Sequence, residues 1–420
     1  MTPAHQHGGT GGGHDLAGLV PVDDHLADVA AMIRPLTPVE LALAEAEGCV
    51  LAADVTAGHP LPSFDNSAMD GYAVRAIDVA SATERSPVTL PVSGLVAAGD
   101  TGAYAVAPGV SVQVMTGAQL PAGADAVVPV EWTDGGDAKV AIRRAAEAGH
   151  AVRRAGDDAR AGEPLLSAGT VLGPAQLGLV AAAGGGTAVV RPRPRVVVIS
   201  TGNELAEPGS PLTPGKIWES NSFMLAAAAR QAGCLAYRSP VAPDEPRRLL
   251  EMIESQLPRA DLLITSGGVS MGGPNDVVKD VLTGLGTVTF RKVAIQPGMP
   301  QGFGVVGPDA TPIITLPGNP VSALVSFEVF IRSPLRGAMA LPHPDRPRVD
   351  ATLTEPLTSP RGKRQFRRGV LGPDGSTVTS YGPPASHHLR WLASANCLLE
   401  LGEDVTELDE GSPVRVWDLG

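Results

Sequence analysis

Residues 195–205 read RVVVISTGNEL, an apolar run that ends in a polar, glycine-containing loop. A second run, DLLIT at 261–265, leads directly into SGGVS at 266–270. Short continuous apolar runs bounded by glycine and polar residues are typical of strands that are buried on both faces of a parallel sheet. The two runs therefore predict an α/β domain whose strands run in one direction.

Strands and helices alternate through this region. Strands are expected at 196–200, 235–237, 261–265, 287–294, 302–306 and 312–316, and helices around 223–229, at 244–257, at 276–284 and after 320. This βαβα order predicts a parallel, doubly wound sheet with helices on both faces. Such sheets bind ligands outside the carboxyl ends of their strands, so the loops at that edge are the expected site of chemistry.

The flanking regions predict a multidomain chain, since 420 residues exceed the usual size of one domain. Residues 193–340 are expected to form the α/β domain III. Residues 56–151 carry short apolar runs between glycines and prolines, which predicts an inserted β-rich domain II. Residues 341–420 predict a C-terminal β-sandwich or barrel, domain IV.

Residues 19–55 and 152–192 are expected to form an extended and helical domain I. Its predicted helices lie at 22–34, 38–48 and 174–183, where capping residues or helical spacing of apolar side chains occur. Residues 1–18, rich in glycine and histidine, are expected to be a disordered tail.

Composition argues against several functional classes. The formal charge of −12 and the aromatic content of 4% disfavour binding to nucleic acid or to an anionic membrane surface. No apolar run is long enough to span a membrane, and no secretory signal pattern begins the chain. Cys49, Cys234 and Cys397 lack metal-ligand spacing and are interpreted as small buried hydrophobes. A cytoplasmic protein is expected.

Polar loops follow the expected strands at the carboxyl edge of the sheet. Glycine and small polar residues in them offer backbone N–H groups that suit a phosphate. The candidate ligand-binding residues are Ser200, Thr201, Gly202, Ser266, Gly267, Gly268, Ser270, Pro317, Gly318, Asn319 and Pro320.

Three carboxylates lie beside the same loops: Glu204, Asp244 and Asp276. A carboxylate repels a phosphate unless a cation lies between them, so the pattern predicts a Mg²⁺ ion that bridges the two. Each residue also has a structural interpretation. Asp244 and Asp276 could cap helices, and Glu204 could be an ordinary surface residue.

Residues 64–74 read FDNSAMDGYAV and form the most polar motif of the N-terminal half. One interpretation is a polar turn between two strands. The other is a shaped loop that holds its carboxylates in place, because so many polar groups need partners once they are removed from water. The length of the run favours the shaped loop.

Several cationic or polar residues keep two interpretations. Lys292 offers a point charge to an oxyanion or is a snorkelling residue at a strand end. Arg153 and Arg154 form an anion clamp or a salt-bridged turn. The basic residues between 361 and 368 line a phosphate or form a solvated face. Ser386-His387-His388 lacks metal-ligand spacing, so no zinc site is predicted.

Six motifs in order resemble molybdopterin molybdenumtransferases. They are FDNSAMDGYAV at 64–74, MTGAQLPAGADAVV at 115–128, RRAGDD at 153–158, STGNEL at 200–205, SGGVS at 266–270 and LPGNPVSA at 316–323. The resemblance implies a molybdopterin-binding type of α/β domain and a homodimer whose active site lies between subunits. It implies insertion of molybdate into the dithiolene of adenylylated molybdopterin, with release of AMP.

The resemblance also implies roles for individual residues. Glu204, Asp244 and Asp276 would handle Mg²⁺ and the pyrophosphate bond, with Asp276 placed by the VVKD that follows it. Asp70 and Thr116 would reach the pterin end of the substrate across the dimer, and Ser386 would face molybdate. An upstream molybdopterin adenylyltransferase would be a natural partner.

The chain departs from the family where Gln296 and Met299 stand at positions that often carry lysine. Oxyanion binding would then rest on Lys292, arginines or backbone donors. Two alternative functions fit the motifs less well. An adenylyltransferase would not need the 64–74 and 316–323 motifs in one chain, and a non-catalytic scaffold would tolerate loss of Asp70 or Glu204. No GxGxxG follows the first strand, which disfavours a dinucleotide dehydrogenase.

Overall fold

A computed structural model describes residues 18–269, 277–284 and 287–420. Residues 1–17 of the expected tail, and the candidate site residues Ser270 and Asp276, lie outside the described residues. The described chain divides into two compact units. One contains the residues up to Val39 and from Arg191 to Gly420, and the other contains Glu40–Val190. The four-domain division expected from the sequence remains a prediction.

The larger unit contains a six-stranded sheet. Its strands lie in the order Leu235–Arg238, Arg195–Ser200, Leu262–Ser266, Thr311–Leu316, Pro300–Val306 and Val288–Lys292. The first four are parallel, and Ser200 lies opposite Ser266, which lies opposite Leu316. The three strands that contain Ser200, Ser266 and Leu316 therefore end level with one another, and the loops that follow them start at the same edge.

The expectation of an entirely parallel sheet was wrong at one strand. Pro300–Val306 is antiparallel to both of its neighbours. The seven residues between Lys292 and Pro300 contain no crossover helix, and a parallel connection needs one. Val288–Lys292 consequently runs in the same direction as the parallel strands and ends at their carboxyl edge.

Helices cover both faces of this sheet, as expected. The helices of the larger unit are Val22–Met32, Asn221–Gln231, Pro246–Gln256, Val277–Gly284, Pro320–Ser326, the π-helix Phe327–Ile331, Arg332–Ala338 and Leu389–Ala393. Side chains alternate along Arg195–Ser200, so Val196 and Val198 face one core while Val197 and Ile199 face the other. Burial on both faces explains why this strand reads as a continuous apolar run.

The C-terminal strands close into a small barrel. They are Arg348–Leu353, Arg364–Leu371, Thr377–Ser380, Cys397–Leu401 and Pro413–Asp418. Arg364–Leu371 pairs with Thr377–Ser380 on one side and Cys397–Leu401 on the other, which completes the ring. The short strand Ile295–Gln296 adds to the start of Arg364–Leu371. The barrel alternative of the sequence interpretation is confirmed.

The smaller unit is mainly β-structure. Its five-stranded sheet has the order Ala126–Pro129, Gly71–Val74, Ser111–Val114, Val88–Val96 and Lys139–Ile142. Shorter strands are Val50–Leu51, Val55–Thr56, Asn66–Ser67, Val152–Arg153, Pro164–Leu166 and Thr187–Arg191. The expected helix at 174–183 is confirmed as Pro174–Ala182.

The helix expected at 38–48 was wrong. Val39–Ala42 is a strand that neighbours Thr187–Arg191. Leu41 and Leu43, two residues apart, both pack against the core beneath, which is the period of a strand and not of a helix. In the part of the chain that the structure describes, no helix is both long and apolar enough to cross a membrane.

His25 is a buried base on the Val22–Met32 helix. It is 0% exposed, and its ring packs edge-on against Phe303 and Phe330. Neither ring nitrogen has a hydrogen-bond partner among the described residues. Burial, with a smaller contribution from the nearby charge of Arg291, lowers the pKa of His25 from 6.5 to about 4.

We predict that acid destabilises the fold through His25. Below pH 6.5 the imidazole of His25 is protonated in the unfolded chain, whereas in the folded chain it stays neutral down to about pH 4. The free energy of unfolding should therefore fall across this window, by about 3 kcal/mol in total from this group. Urea unfolding at several pH values measures it. His25→Phe should flatten that part of the profile, and the exposed His59→Phe should not; equal profiles for all three proteins would refute the assignment.

Candidate functional site

Three loops at the carboxyl edge of the parallel strands touch through their backbones. A Cβ atom on Gly267 would lie 2.6 Å from the carbonyl oxygen of Thr201, and one on Gly318 would lie 3.6 Å from Gly267 Cα. Gly267 also has a φ of +99°, which L-residues rarely adopt. Thr201, Gly267 and Gly318 therefore meet as predicted, and the approach requires glycine.

The backbone donors of these loops fall into two groups. The N–H groups of Thr201, Gly202 and Gly267 donate to the carbonyls of Ser266, Ala242 and Leu316, at 3.0, 3.2 and 3.2 Å. These three residues tie the loops together and do not offer their N–H groups to a ligand. Within the described residues, the N–H groups of Gly268 and Gly318 donate to no acceptor. They are the better candidates for binding an anion.

Asn221 bridges two of the loops, and the sequence interpretation missed it. Its Nδ2 donates to Ser266 Oγ and to the Gly318 carbonyl, both at 2.7 Å. Ser266 Oγ in turn lies 3.3 Å from the Pro317 carbonyl. The only signal in the sequence was a run of polar residues, ESNS at 219–222, at the start of an expected helix.

A buried carboxylate supports the first loop and was also missed. Glu219 is 2% exposed and accepts hydrogen bonds from Ser200 Oγ and from the backbone and hydroxyl of Ser222, each at 2.7 Å. Arg238 lies 3.5 Å from it and stacks on Phe223. A buried charge needs such a set of partners, so this cluster fixes the end of the strand that carries Ser200.

Two of the predicted carboxylates are brought to neighbouring loops. Asn203 N–H donates to Asp244 Oδ2 at 2.9 Å, and Asp244 N–H donates to Asn203 Oδ1 at 3.2 Å. Glu204 follows directly in the chain and is exposed, and the Lys216 ammonium donates to the Asn203 carbonyl. The reciprocal bonds make a clasp that holds the 201–204 loop to the 242–244 loop.

The backbone of Gly202 lies directly against the Glu204 carboxylate. Its φ is +154°, and a Cβ there would lie 2.6 and 2.7 Å from the two carboxylate oxygens of Glu204. The absence of a side chain at this position therefore lets the carboxylate lie against the backbone.

Oxygen ligands of this kind suit a hard cation such as Mg²⁺. Among residues 18–269, 277–284 and 287–420, however, no group of three or more potential ligands gathers. Glu204 and Asp244 lie on neighbouring loops, and the third expected ligand, Asp276, is outside this part of the chain.

Thr201 adds a polar atom that faces no protein partner. The residue is 4% exposed, and its Oγ1 has no hydrogen-bond partner among the described residues. Buried hydroxyl groups are almost always hydrogen-bonded in native proteins, so an unpaired one beside three converging loops fits a site that receives a polar ligand.

Ser386 lies next to the 317–320 loop. Asn319 Nδ2 donates to Ser386 Oγ at 2.9 Å, and Val321 N–H donates to its carbonyl at 3.1 Å. The buried Arg368 guanidinium donates to the carbonyls of Pro383, Ala385 and His388, which shapes the segment that carries Ser386. Burial lowers the pKa of Arg368. Pro317 and Pro320 begin and end the turn before the Pro320–Ser326 helix.

Lys292 has no described contact with the other candidate residues. It is exposed at the end of Val288–Lys292, on the carboxyl edge but two strands away from Thr311–Leu316. No described hydrogen bond or ion pair joins its ammonium group to the other candidates.

The basic cluster at 361–368 is largely used within the fold. Arg364 forms ion pairs with Asp23 and Glu403 at 2.8 and 3.0 Å, and Arg368 binds the carbonyls named above. The guanidinium groups of Arg364 and Arg368 are therefore not available as a phosphate clamp, which favours a structural role for these two residues.

Asp70 and Thr116 meet in the smaller unit. Both the N–H and the hydroxyl of Thr116 donate to Asp70 Oδ1, at 2.6 and 2.8 Å. These two bonds hold the pKa of the Asp70 carboxyl below its ordinary value. The exposed carboxylate is thus held in one orientation and stays ionised.

The rest of the 64–74 motif is a shaped loop, as its length suggested. Arg154 Nη1 and Ala155 N–H donate to the two oxygens of Asp65 at 2.7 and 2.8 Å. Ser67 Oγ donates to the Met69 carbonyl at 2.5 Å. Arg154 therefore belongs to a salt-bridged turn, which decides between the two interpretations of RRAGDD.

Family models match the chain along most of its length. Residues 20–184 match the MoeA N-terminal region (domain I and II), residues 197–337 match a probable molybdopterin binding domain, and residues 350–419 match the MoeA C-terminal region (domain IV).

Named relatives agree with these matches. Molybdopterin molybdenumtransferase 2 of Mycobacterium tuberculosis is 54% identical over 404 residues, which cover 95% of this chain and 99% of the relative. Molybdopterin molybdenumtransferase 1 of the same organism is 39% identical, covering 94% and 98%. A crystal structure of a molybdopterin biosynthesis MoeA protein from Pyrococcus horikosii matches with a TM-score of 0.74 at 32% identity, covering 96% of this chain and 99% of that one.

We predict that Gly202→Ala displaces the Glu204 carboxylate without unfolding the protein, because the atoms it would meet lie at the end of a flexible side chain. Mg²⁺ affinity, measured by calorimetry, should fall roughly tenfold if one oxygen ligand is lost. The matched control is Gly209→Ala. Gly209 also has a positive φ, of +88°, but no atom lies within 4 Å of the new Cβ. Equal Mg²⁺ affinity in the two variants would show that Glu204 is not a ligand.

Proposed function

The chain belongs to the molybdopterin molybdenumtransferase family and acts in molybdenum cofactor biosynthesis, and we propose that it transfers molybdate to the dithiolene of adenylylated molybdopterin. In this reaction the pyrophosphate bond of the substrate is cleaved, AMP leaves, and molybdenum cofactor is formed. The observation that carries the proposal is the meeting of three glycine-containing loops beside the Asn203–Asp244 clasp, with Glu204 directly following Asn203.

The loops would bind the phosphate end of the substrate. Gly268 and Gly318 offer backbone N–H groups without acceptors among the described residues, and Thr201 Oγ1 offers a buried hydroxyl. Oriented N–H groups at the ends of parallel strands are a common anion site in α/β proteins. The protein has a net charge of −12, so such local donors are needed to hold an anionic substrate.

Mg²⁺ would be held by Glu204, Asp244 and Asp276. The ion would neutralise charge that develops on the pyrophosphate oxygens as the bond breaks. The chain's own contribution is to orient the ligands: Asn203 fixes Asp244, and Gly202 leaves room for the Glu204 carboxylate. Lys216, bonded to the Asn203 carbonyl, places a positive charge near the two carboxylates.

Molybdate would bind at the segment around Ser386. Asn319 orients the Ser386 hydroxyl, and Arg368 holds the surrounding turn. Gln296 and Met299 stand at positions where lysine is common in the family, so neutral donors and backbone groups would carry more of the oxyanion binding here, with Lys292 as a further candidate cation. Hydroxyl and amide donors hold an oxyanion through directed hydrogen bonds, which are weaker than those from a cation.

Asp70 and Thr116 would complete the site from a second protomer. Asp70 is exposed, ionised and held in one orientation by Thr116, so it presents a negative charge to the surface in a fixed direction. We place it at the pterin end of the substrate, facing Glu204 of the partner subunit in a homodimer. A cytoplasmic location and substrate delivery from an upstream adenylyltransferase belong to the same proposal.

The two alternatives are less well supported. An adenylyltransferase role is not favoured, since relatives named molybdenumtransferase match nearly the whole chain. A non-catalytic scaffold would have no use for an oriented Asp70 or for the Asn203–Asp244 clasp.

We predict that Glu204→Gln and Asp244→Asn leave the fold intact and lower AMP release by on the order of a hundredfold or more, because each removes a charge from the cation site. AMP release is followed with adenylylated molybdopterin, molybdate and Mg²⁺. Glu245→Gln is the matched control, since Glu245 is exposed next to Asp244 and pairs with Arg248 on the surface. Unchanged turnover in both site variants would remove them from the mechanism.

We predict that mixing Asp70→Ala and Glu204→Gln protomers restores activity. Each mixed dimer would hold one intact site, giving about half of the wild-type rate per mixed dimer. Mixing Glu204→Gln with Asp244→Asn is the control and should restore nothing, because both residues would come from the same protomer. Absence of recovery in the first mixture, with dimers shown to form, would contradict a shared site.

A further inference from the structure

Asn221 is the first residue of the Asn221–Gln231 helix, and the reaction proposed above gives it no role. Its amide nitrogen lies 2.7 Å from both Ser266 Oγ and the Gly318 carbonyl. Ser266 and Gly318 belong to different loops, each of which contains one of the unpaired backbone N–H groups. Asn221 is thus the side chain that spans the two halves of the anion site.

The orientation of this amide follows from its partners. The Gly318 carbonyl can only accept a hydrogen bond, so the nitrogen and not the oxygen of Asn221 faces it. The second N–H of the same nitrogen reaches Ser266 Oγ, whose own hydrogen is then directed to the Pro317 carbonyl at 3.3 Å. The result is a closed set of bonds around the Pro317–Gly318 turn.

Few side chains could replace this arrangement. The carboxamide of asparagine places two donors on one short, planar group, and both are used here, on a hydroxyl and on a carbonyl. Asn221 Oδ1 is buried without a partner among the described residues, so the amide is held by its nitrogen. A group kept in place by its donors can set the spacing between the loops it joins.

We propose that Asn221 is a positioning residue that sets the separation of Gly268 and Gly318, so that their N–H groups bind one phosphate group together. The proposal rests on the proposed function for the identity of the anion, a nucleotide phosphate. Binding by fixed donors loses affinity steeply when the donors move apart, because the site must reorganise to receive its ligand.

The experiment measures AMP binding by calorimetry and the kinetics of AMP release. For Asn221→Ala we expect AMP affinity to fall by on the order of 10- to 100-fold, with KM for adenylylated molybdopterin rising in parallel and kcat changing less. Asn396→Ala is the matched control. Asn396 also bridges through its amide, to the N–H and carbonyl of Leu371, but it lies in the barrel. It should lose comparable thermal stability and keep wild-type affinity.

Asn221→Asp provides a readout that a purely structural role would not give. The ionised carboxylate has no donor and places lone pairs against the Gly318 carbonyl, so AMP affinity at pH 8 should be at or below that of the alanine variant. On acidification the protonated carboxyl regains one donor, and affinity should recover toward wild type. Wild type and Asn221→Ala should lack this recovery. The aspartate variant preserves side-chain size, so it also serves if the alanine variant does not fold.

Equal AMP affinity in wild type, Asn221→Ala and Asn221→Asp overturns the inference. Wild-type protein that binds AMP but does not turn over the adenylylated pterin overturns the proposed reaction and leaves the binding test of Asn221 decisive. Wild-type protein that does not bind AMP overturns both.

Discussion

The site depends on direct backbone contact between loops that leave three neighbouring strands. Thr201, Gly267 and Gly318 approach so closely that a Cβ on Gly267 would overlap the Thr201 carbonyl oxygen. The contact is possible because the strands end level, with Ser200 opposite Ser266 and Ser266 opposite Leu316. The register of the sheet and the absence of side chains on Gly267 and Gly318 thus act together. Loss of either would move apart the three loops proposed to bind the ligand.

The carboxylates around this contact serve two different ends. Glu219 is buried, its oxygens accept hydrogen bonds from Ser200 and Ser222, and it forms an ion pair with Arg238, so it has little capacity for a further ligand. Glu204 and Asp244 lie nearer solvent and keep unused oxygens. A charge that is fully satisfied inside the protein stabilises one arrangement, whereas a pair with capacity left at the surface can take up a cation. Position in the fold, and not residue type, separates the two roles.

The sequence predicted the elements whose pattern is local. Burial on both faces makes 195–200 and 261–265 continuous apolar runs, so the strands and the loops after them could be placed. The antiparallel pair at 288–306 could not, because strand direction depends on whether a crossover helix fits between the strands. Val39–Ala42 was misread as a helix since a capping pattern outweighed the two-residue spacing of Leu41 and Leu43.

Local sequence patterns were also insufficient to find every residue of the site. Glu204, Asp244, Asp70 and Thr116 follow recognisable motifs, and the structure joins Asp70 to Thr116 and Asn203 to Asp244. Glu219 and Asn221 lie in an ordinary polar run, and their importance comes from partners far away in the chain, such as Gly318. No spacing rule within one segment encodes a contact of that range.

The barrel strand Arg364–Leu371 has a second attachment with an evolutionary consequence. Its first residues pair with Ile295–Gln296, while its later residues close the barrel. A one-residue insertion in this strand would turn the side chain opposite Gln296 to the other face of the sheet. Insertions or deletions in this strand would therefore have to be compensated in the 292–300 segment during evolution.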